Sequence, residues 1–204
     1  ELSLQAKEIL DDFEPDAIKI GAIHPSLFAL IEKILVKFSD KPIVFDPIIK
    51  SSLGTGYFIE MFSGFVDQFI EICSLADLIT PNLFETFFLF QDTNNLISLE
   101  DSINQFCEKG NTSIVVKGIQ YGQSDICDVL HSNQYPKQRF NIEKIDGNQK
   151  IHGTGCAFST LIACNLGKGM ELPSAIKESK KTLDKMRENI CNPGQNKELF
   201  YFIT

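Results

Sequence analysis

The chain has 204 residues, of which 43% are hydrophobic and 23% charged, and its formal net charge is −8. This composition is typical of a globular protein, so we expect residues 1–204 to form a single domain. The acidic balance, with no basic stripe along the chain, argues against nucleic acid as a partner. No apolar run reaches the roughly 18 residues of a membrane span, so no membrane partner is expected.

The six cysteines and three histidines show no spacing typical of a disulfide framework or a zinc site. The cysteines form no C-x-x-C pair, and the histidines lie far apart in the sequence. Reduced thiols in the cytoplasm are the simplest interpretation of this usage. Among the isolated polar residues, His24 and His131 are interpreted as structural, and Asp128 and Asp146 as solvated loop residues.

Helical and strand patterns alternate regularly along the chain. Ser3 and Ser26 are plausible N-caps of the first two helices, because a hydroxyl can accept from the free backbone N–H groups there. The predicted elements, in chain order, are a helix over 4–13, a strand over 17–20, a helix over 27–38, a strand over 42–45, helical residues over 58–73, a strand over 76–80, helices over 83–90 and 98–109, a strand over 113–117, an antiparallel hairpin of 127–131 and 139–142, and helices over 154–166 and 172–190.

This alternation predicts an α/β fold with a mostly parallel sheet and helices on both faces. Ligands of such sheets bind beyond the carboxyl ends of the strands. The residues that follow the predicted strands are Gly21-Ala22, Asp46-Pro47, Thr80-Pro81-Asn82 and Lys117-Gly118. A carboxylate, an amide and a lysine on one edge suit phosphoryl transfer, which favours an enzyme over a binding module.

The segment Gly153-Thr154-Gly155-Cys156 predicts an anion-binding turn before a helix. Its glycines let the backbone turn tightly and approach a ligand, and the helix presents free N–H groups. At the positive end of the helix dipole, a phosphate would be held and the thiolate of Cys156 stabilised. Taken alone, the segment also fits an ordinary helix start that carries a packed cysteine.

Three further side chains have both a chemical and a structural interpretation. Asp46 could hold Mg²⁺ through water, or could form a turn before Pro47. Glu85, three residues after Asn82, could help to hold magnesium, or could belong to a capping box. Lys117 could reach phosphates as a point charge, or could extend from the sheet to solvent.

Four sequence motifs, found in this order, carry a resemblance to a known family. They are Val44-Phe45-Asp46-Pro47-Ile48, Asp77-Leu78-Ile79-Thr80-Pro81-Asn82-Leu83-Phe84-Glu85, Val115-Val116-Lys117-Gly118 and His152-Gly153-Thr154-Gly155-Cys156. With the first strand and the final helix pair, they resemble the hydroxymethylpyrimidine/phosphomethylpyrimidine kinase family of thiamine biosynthesis, in the ribokinase-like superfamily. The resemblance covers essentially the whole chain.

The resemblance implies a three-layer α/β/α sandwich with a mostly parallel sheet. It implies that the enzyme uses ATP and Mg²⁺. The γ-phosphate would pass to the hydroxymethyl group of 4-amino-5-hydroxymethyl-2-methylpyrimidine, and a second one to the resulting monophosphate. It further implies a homodimer.

Carried over by position, the backbone at Gly153, Thr154, Gly155 and Cys156 would form the anion hole. Cys156 would be the candidate base for the hydroxymethyl group, and Lys117 would neutralise the charge of the transferring phosphate. Because phosphoryl transfer needs little base strength, we expect Lys117 and the anion hole to matter more to the rate than Cys156.

The remaining candidate residues follow from the same resemblance. Asp46 and Glu85 would lie near Mg²⁺ and the phosphates, with Asn82 supporting them at the nucleotide. Ala22 and Ile48 would line the pyrimidine pocket.

Three departures from the family pattern bear on the acceptor. The strand, glycine-rich loop and glutamine-bearing strand with which the family begins would precede Glu1, so we expect that this chain omits an N-terminal unit. Ala22 stands where the family usually has methionine. Ile119 replaces the second glycine of the usual Lys-Gly-Gly turn.

Two alternative functions remain open. A pyridoxal kinase of the same superfamily is the nearest, since pyridoxal also carries a hydroxymethyl group on a flat heteroaromatic ring. A non-catalytic vitamin-binding homologue is the second. The intact residues Asp46, Glu85, Lys117 and Cys156 argue against it.

Overall fold

The computed structural model describes residues 2–49, 65–90, 98–121, 125–141, 151–187, 190–194 and 197–200. The helices are α1 (Leu2–Asp12), α2 (Phe28–Lys37), α3 (Phe65–Cys73), α4 (Leu83–Phe90), α5 (Leu99–Gly110), α6 (Thr154–Gly167) and α7 (Leu172–Arg187). The strands are β1 (Ile18–Ile20), β2 (Ile43–Phe45), β3 (Leu78–Ile79), β4 (Ser113–Tyr121), β5 (Asp125–His131), β6 (Gln138–Asn141), β7 (Ile151–His152), β8 (Ile190–Gly194) and β9 (Lys197–Phe200). Within these ranges, no helix combines the length and the apolar character that crossing a bilayer requires.

A six-stranded sheet in the order β1-β2-β3-β4-β5-β6 forms the centre of the fold. Strands β1 to β4 are parallel, with Val44 beside Leu78 and Ile79 beside Ile114. Strands β5 and β6 continue the sheet in antiparallel fashion, which confirms the predicted hairpin. The carboxyl ends of the four parallel strands therefore meet at one edge, where the sequence placed the candidate site.

The sheet separates two hydrophobic cores, because successive strand residues point to opposite faces. Ile43 and Phe45 of β2 pack with residues of α2, α3, α4 and α5. Val44, between them, packs with residues of α6 and α7, as does Val115 of β4. Helices thus cover both faces, and the expected three-layer α/β/α arrangement is confirmed.

Two predicted helix caps are wrong. Helix α1 begins at Leu2, so Ser3 lies inside the helix and does not cap it. Before α2, His24 takes the capping position of a short 3₁₀ turn, and its ring Nδ1 accepts from the backbone N–H of Ser26 at 3.2 Å. Pro25 suits the first position of that turn because it has no N–H to satisfy.

The C-terminal region also differs from the prediction. Helix α7 ends at Arg187, and Ile190 begins β8 instead of continuing the helix. Strands β7, β9 and β8 form a second sheet. Sequence patterns missed this sheet because β7 has only two residues and β8 includes a proline and a glycine, which are uncommon within strands. The predicted helical residues 58–64 lie outside the described residues.

Candidate active site

Asp46 is at the centre of the candidate site. It follows β2 at the carboxyl edge of the sheet, where its backbone N–H donates to the carbonyl of Ile20 at 2.8 Å. The residue is 1% exposed. Lys117 Nζ, from β4, donates to Asp46 Oδ1 at 2.7 Å, and Lys19 Nζ, from β1, lies 3.9 Å from Oδ2. A carboxylate buried to this degree requires such partners, and Asp46 has them on both oxygens.

Two hydroxyl groups also contact the Asp46 carboxylate. Thr80, which follows β3, donates to Asp46 Oδ1 at 3.3 Å, and Ser159, on α6, donates to Oδ2 at 3.1 Å. The Ser159 hydroxyl also lies 3.0 Å from the carbonyl oxygen of Cys156 one helical turn earlier. The Asp46 carboxylate therefore ties the strand edge to the first turn of α6.

Lys117 is held both through its backbone and through its side chain. Its backbone N–H donates to the carbonyl of Pro81 at 2.8 Å, and it forms a parallel bridge with Asn82 before α4. Its side chain is 14% exposed and reaches Asp46. The interpretation of Lys117 as a lysine extending to solvent is therefore wrong, because its ammonium group points into the site.

The glycine-rich turn meets Lys117 directly. Gly153 has φ 88°, a left-handed conformation that favours glycine, and it is the residue before the first turn of α6. A Cβ added at Gly155 would lie 3.3 Å from Lys117 Nζ. The first free N–H groups of α6 and the Lys117 ammonium group therefore lie at one place, as an anion-binding site requires.

Cys156 lies on the exposed side of this turn, in the first turn of α6. Although the residue is exposed, partial desolvation of the thiol raises its pKa, and the nearby Asp46 carboxylate raises it further, against the opposing charges of Lys19 and Lys117. The sequence-based expectation of a stabilised thiolate is therefore wrong. Desolvation and the carboxylate of Asp46, which lies 110 positions earlier in the chain, both disfavour the thiolate.

Asn82 and Glu85 form a reciprocal capping box at the start of α4. The backbone N–H of Asn82 donates to Glu85 Oε2 at 2.8 Å, and the backbone N–H of Glu85 donates to Asn82 Oδ1 at 2.9 Å. Glu85 is 3% exposed, and this burial raises its pKa, while the N–H of Asn82 and the charge of Lys117 act in the opposite direction. The structural interpretation of this pair is confirmed, and a role with magnesium stays a prediction.

The residues expected at the acceptor lie beside Asp46. Because β1 and β2 are parallel neighbours, the residues after β1, Gly21 and Ala22, lie next to the residues after β2. Ala22 is exposed and Ile48 half-buried, and a Cβ added at Gly21 would lie 3.9 Å from Ile48 Cδ1. Ala22 and Ile48 therefore border the same edge as Asp46, and their contact with a pyrimidine stays a prediction.

A cavity of about 310 Å³ opens on the other side of Lys117, towards α7. Asn82, Thr154 and Gly155 line it from the predicted site, together with Asp128 of β5 and Lys180 of α7. Asp128 is 5% exposed and not a solvated loop residue, so that interpretation is wrong. Its carboxylate is buried because β5 continues the central sheet.

Sequence reasoning missed three charged residues of this region, namely Lys19, Asp128 and Lys180. Lys19 and Asp128 each stand within an apolar strand pattern, and that position was a signal that their charge has a partner. Lys180 stands beside Lys181 in a strongly charged helix, and the sequence carries no signal that separates the two.

Magnesium was expected at Asp46 and Glu85. In the part of the chain that the structure describes, no group of three or more histidine, cysteine, aspartate or glutamate side chains is arranged to hold a metal ion. Both oxygens of Asp46 already face protein donors. The arrangement therefore suits contact with a hydrated ion better than direct coordination.

The mostly parallel sheet, its two helical layers and the glycine-rich turn beside the half-buried Lys117 are the features of a ribokinase-like fold. The family model described as phosphomethylpyrimidine kinase matches residues 1–200. The chain belongs to the phosphomethylpyrimidine kinase family.

Three similar proteins illustrate this relationship. A hydroxymethylpyrimidine/phosphomethylpyrimidine kinase of Staphylococcus aureus strain Mu50 is 31% identical over 186 residues, which is 87% of this chain and 64% of that protein. The bifunctional thiamine biosynthesis protein ThiDN of Methanocaldococcus jannaschii is 28% identical over 87% of this chain and 37% of that protein. The ADP complex of Bacillus subtilis pyridoxal kinase superposes with a TM-score of 0.72 at 25% identity, over 97% of this chain and 73% of the other. The chain thus spans about one third to two thirds of the length of these two curated relatives.

Proposed function

We propose that the protein is an ATP-dependent kinase that phosphorylates 4-amino-5-hydroxymethyl-2-methylpyrimidine and then its monophosphate. The observation that carries the proposal is the position of Lys117 Nζ. This atom lies 2.7 Å from Asp46 Oδ1, and a Cβ added at Gly155 would lie 3.3 Å from it. Membership of the phosphomethylpyrimidine kinase family supports the acceptor. The kinase of Staphylococcus aureus bears the name of this activity.

In the proposed reaction, the hydroxymethyl oxygen attacks the γ-phosphorus of ATP. The bond from the γ-phosphorus to the bridging oxygen breaks, and ADP leaves. The N–H groups that open α6 and the ammonium group of Lys117 stabilise the charge on the transferring phosphoryl group. Asp46 holds Lys117 in place for this role.

The hydroxyl proton leaves late in such a transfer, so the reaction places little demand on a base. Cys156 is the candidate acceptor of this proton. Its raised pKa keeps it largely as a thiol near neutral pH, so its contribution to the rate is small beside that of Lys117. Asp46 and Glu85 would face the hydrated Mg²⁺ that accompanies the phosphates, with Asn82 positioning Glu85.

Pyridoxal is the second candidate acceptor. The similarity to the Bacillus subtilis pyridoxal kinase supports it, because that structure aligns with nearly the whole of this chain. The exposed Ala22 at the acceptor edge supports it too, because a small side chain leaves room for a different ring.

We also propose that the protein is a homodimer in the reducing cytoplasm. The free thiols of Cys73, Cys107, Cys127, Cys156 and Cys164 support the compartment. The family resemblance supports the dimer, and light scattering of the purified protein measures its mass directly.

The test of the proposed activity is product formation by the full-length protein with ATP, Mg²⁺ and the hydroxymethylpyrimidine. We expect stoichiometric formation of the monophosphate and ADP, and further conversion to the diphosphate. ATP hydrolysis without a phosphorylated pyrimidine or pyridoxal would contradict the proposal.

A further inference from the structure

Asp128 and Lys180 form a charged pair in the wall of the cavity beside Lys117. The proposed chemical step gives neither residue a role. Lys180 Nζ, from α7, donates to Asp128 Oδ2 at 2.5 Å, with side-chain exposures of 11% and 7%. Such a pair costs desolvation of two charges, and apolar residues of similar volume are often as stabilising. Stability alone is therefore a weak explanation for a pair that faces the cavity.

The second oxygen of Asp128 fixes the backbone next to Lys117. The N–H of Gly118 donates to Asp128 Oδ1 at 2.9 Å. Gly118 has φ 71° and lies where the register between β4 and β5 shifts, between Val116 and Ile119. This bulge sets the direction in which the strand leaves Lys117. Asp128 therefore holds the turn after Lys117 through Oδ1 and the ammonium group of Lys180 through Oδ2.

Lys180 has a second contact that keeps it in the cavity. Its Nζ lies 5.6 Å from the ring centre of Phe158, a buried residue of α6 two positions after Cys156. The cavity is lined by both lysines together with Gly155. Two ammonium groups that line one cavity at a helix N-terminus form an environment for a polyphosphate chain.

We propose that Asp128 is a positioning residue for nucleotide binding, which fixes Lys180 and the Gly118 turn so that the two cavity lysines flank the polyphosphate of a nucleoside triphosphate. This inference rests on the proposed function, because it takes the cavity beside Lys117 as the nucleotide site. Asp128 acts through its two partners and takes no part in the chemical step.

The test compares Asp128→Asn with wild type in the full-length protein. Asparagine keeps an oxygen that accepts from the Gly118 N–H and removes the charge that holds Lys180. We expect the Kd of a non-hydrolysable ATP analogue, measured by calorimetry, and the KM for ATP to rise about tenfold, the loss of one charged hydrogen bond. The KM for the acceptor should stay within about twofold, and kcat should fall less than the KM for ATP rises.

Two further variants separate positioning from folding. Asp128→Asn combined with Lys180→Met removes both buried charges, so it should fold as wild type and still bind the analogue weakly. Lys181→Met is the matched control, because Lys181 lies next in the same helix but is 60% exposed and contacts Glu178. It should leave nucleotide affinity unchanged.

The outcomes distinguish this inference from the proposed function. An unchanged Kd for the analogue in the folded double variant would overturn the positioning role of Asp128 and leave the proposed function standing. Equal changes in both KM values would also overturn it, because a general structural defect has no preference for the nucleotide. Failure of wild type to bind the analogue would refute both proposals, whereas analogue binding without any phosphorylated acceptor would refute only the proposed function.

Discussion

Lys117 and Asp46 lie 71 positions apart in the chain, and their side chains meet at 2.7 Å beneath the first turn of α6. The contact joins the middle of β4 to the residue that follows β2, and Ser159 extends it to α6. This pair organises most of the candidate site. Loss of the pair should therefore lower kcat more than it changes the KM for the acceptor.

Lys117→Ala should lower kcat about 100-fold or more, the usual cost of losing one group that stabilises the charge of the transition state. The KM for the acceptor should change much less, because the acceptor residues lie on the other side of Asp46. Steady-state kinetics with varied ATP and varied acceptor measure both effects. The exposed Lys33 on α2 provides a control, Lys33→Ala, and an unchanged kcat for Lys117→Ala would contradict the assignment.

Substitutions at Gly155 should have an effect that grows with side-chain size. The Cβ of Gly155→Ala would lie 3.3 Å from Lys117 Nζ, which a flexible lysine can accommodate, so partial activity is expected. The side chain of Gly155→Leu should occupy the anion-binding space and abolish ATP turnover. Circular dichroism shows whether both variants fold. Normal turnover by the folded leucine variant would show that the phosphoryl group does not pass this turn.

Cys156 should react as a thiol of raised pKa. Because burial and the Asp46 carboxylate both disfavour the thiolate, the pH midpoint of its alkylation by iodoacetamide should lie above about 8.5, the value of an ordinary cysteine. Mass spectrometry of the Cys156 peptide measures the rate at each pH. A midpoint below the ordinary value would mean that the helix dipole dominates after all.

Cys156→Ser tests the weight of the candidate base. The serine variant keeps a polar side chain at the first turn of α6, and we expect its kcat to stay within about tenfold of wild type, because little base strength is needed. The same variant controls the alkylation experiment. A loss as large as that of Lys117→Ala would make Cys156 essential to the transfer.

Glu85 should make stability depend on pH. Burial raises its pKa in the folded protein above that of the unfolded chain, so its contribution is fully present below the unfolded pKa, about 4.3, and is lost as pH rises through the folded pKa. Glu85→Gln keeps an oxygen that accepts from the Asn82 N–H. It should therefore be at least as stable as wild type at pH 7, with an advantage that shrinks towards pH 4.

Urea unfolding of both proteins between pH 4 and pH 7 measures this difference. A Glu85→Gln protein that is less stable than wild type at pH 7 and equal to it at pH 4 would show that folding lowers the pKa of Glu85. In that case the Asn82 N–H and Lys117 would outweigh the desolvation of the carboxylate.

The fold and much of the site could be predicted because strand ends are visible in the sequence. Asp46, Asn82 and Lys117 each follow or end an apolar segment, and a parallel sheet brings such ends to one edge. Cys156 was placed correctly, but its pKa depends on Asp46, and no local pattern reports that distance. The electrostatics of the site therefore required the tertiary structure.

Charge pairing was the least predictable feature. Lys180 and Lys181 are neighbours of the same type, yet Lys180 faces a buried carboxylate and Lys181 faces solvent. Adjacent residues lie on different faces of a helix, and the face that α7 packs against the sheet decides between them. The caps expected at Ser3 and Ser26 failed for two different reasons. Ser3 lies inside α1, which begins one residue earlier, and His24 takes the capping position of the short turn that contains Ser26.

The most direct test of the account is a comparison of kcat/KM for the full-length protein with the hydroxymethylpyrimidine, its monophosphate and pyridoxal, each with ATP and Mg²⁺. The account predicts phosphorylation of both pyrimidines in preference to pyridoxal, and loss of both activities in Lys117→Ala. Preference for pyridoxal would keep the fold and the phosphoryl-transfer site but contradict the acceptor. Absence of transfer to all three would contradict the central claim that Lys117, Asp46 and the turn before α6 form a kinase site.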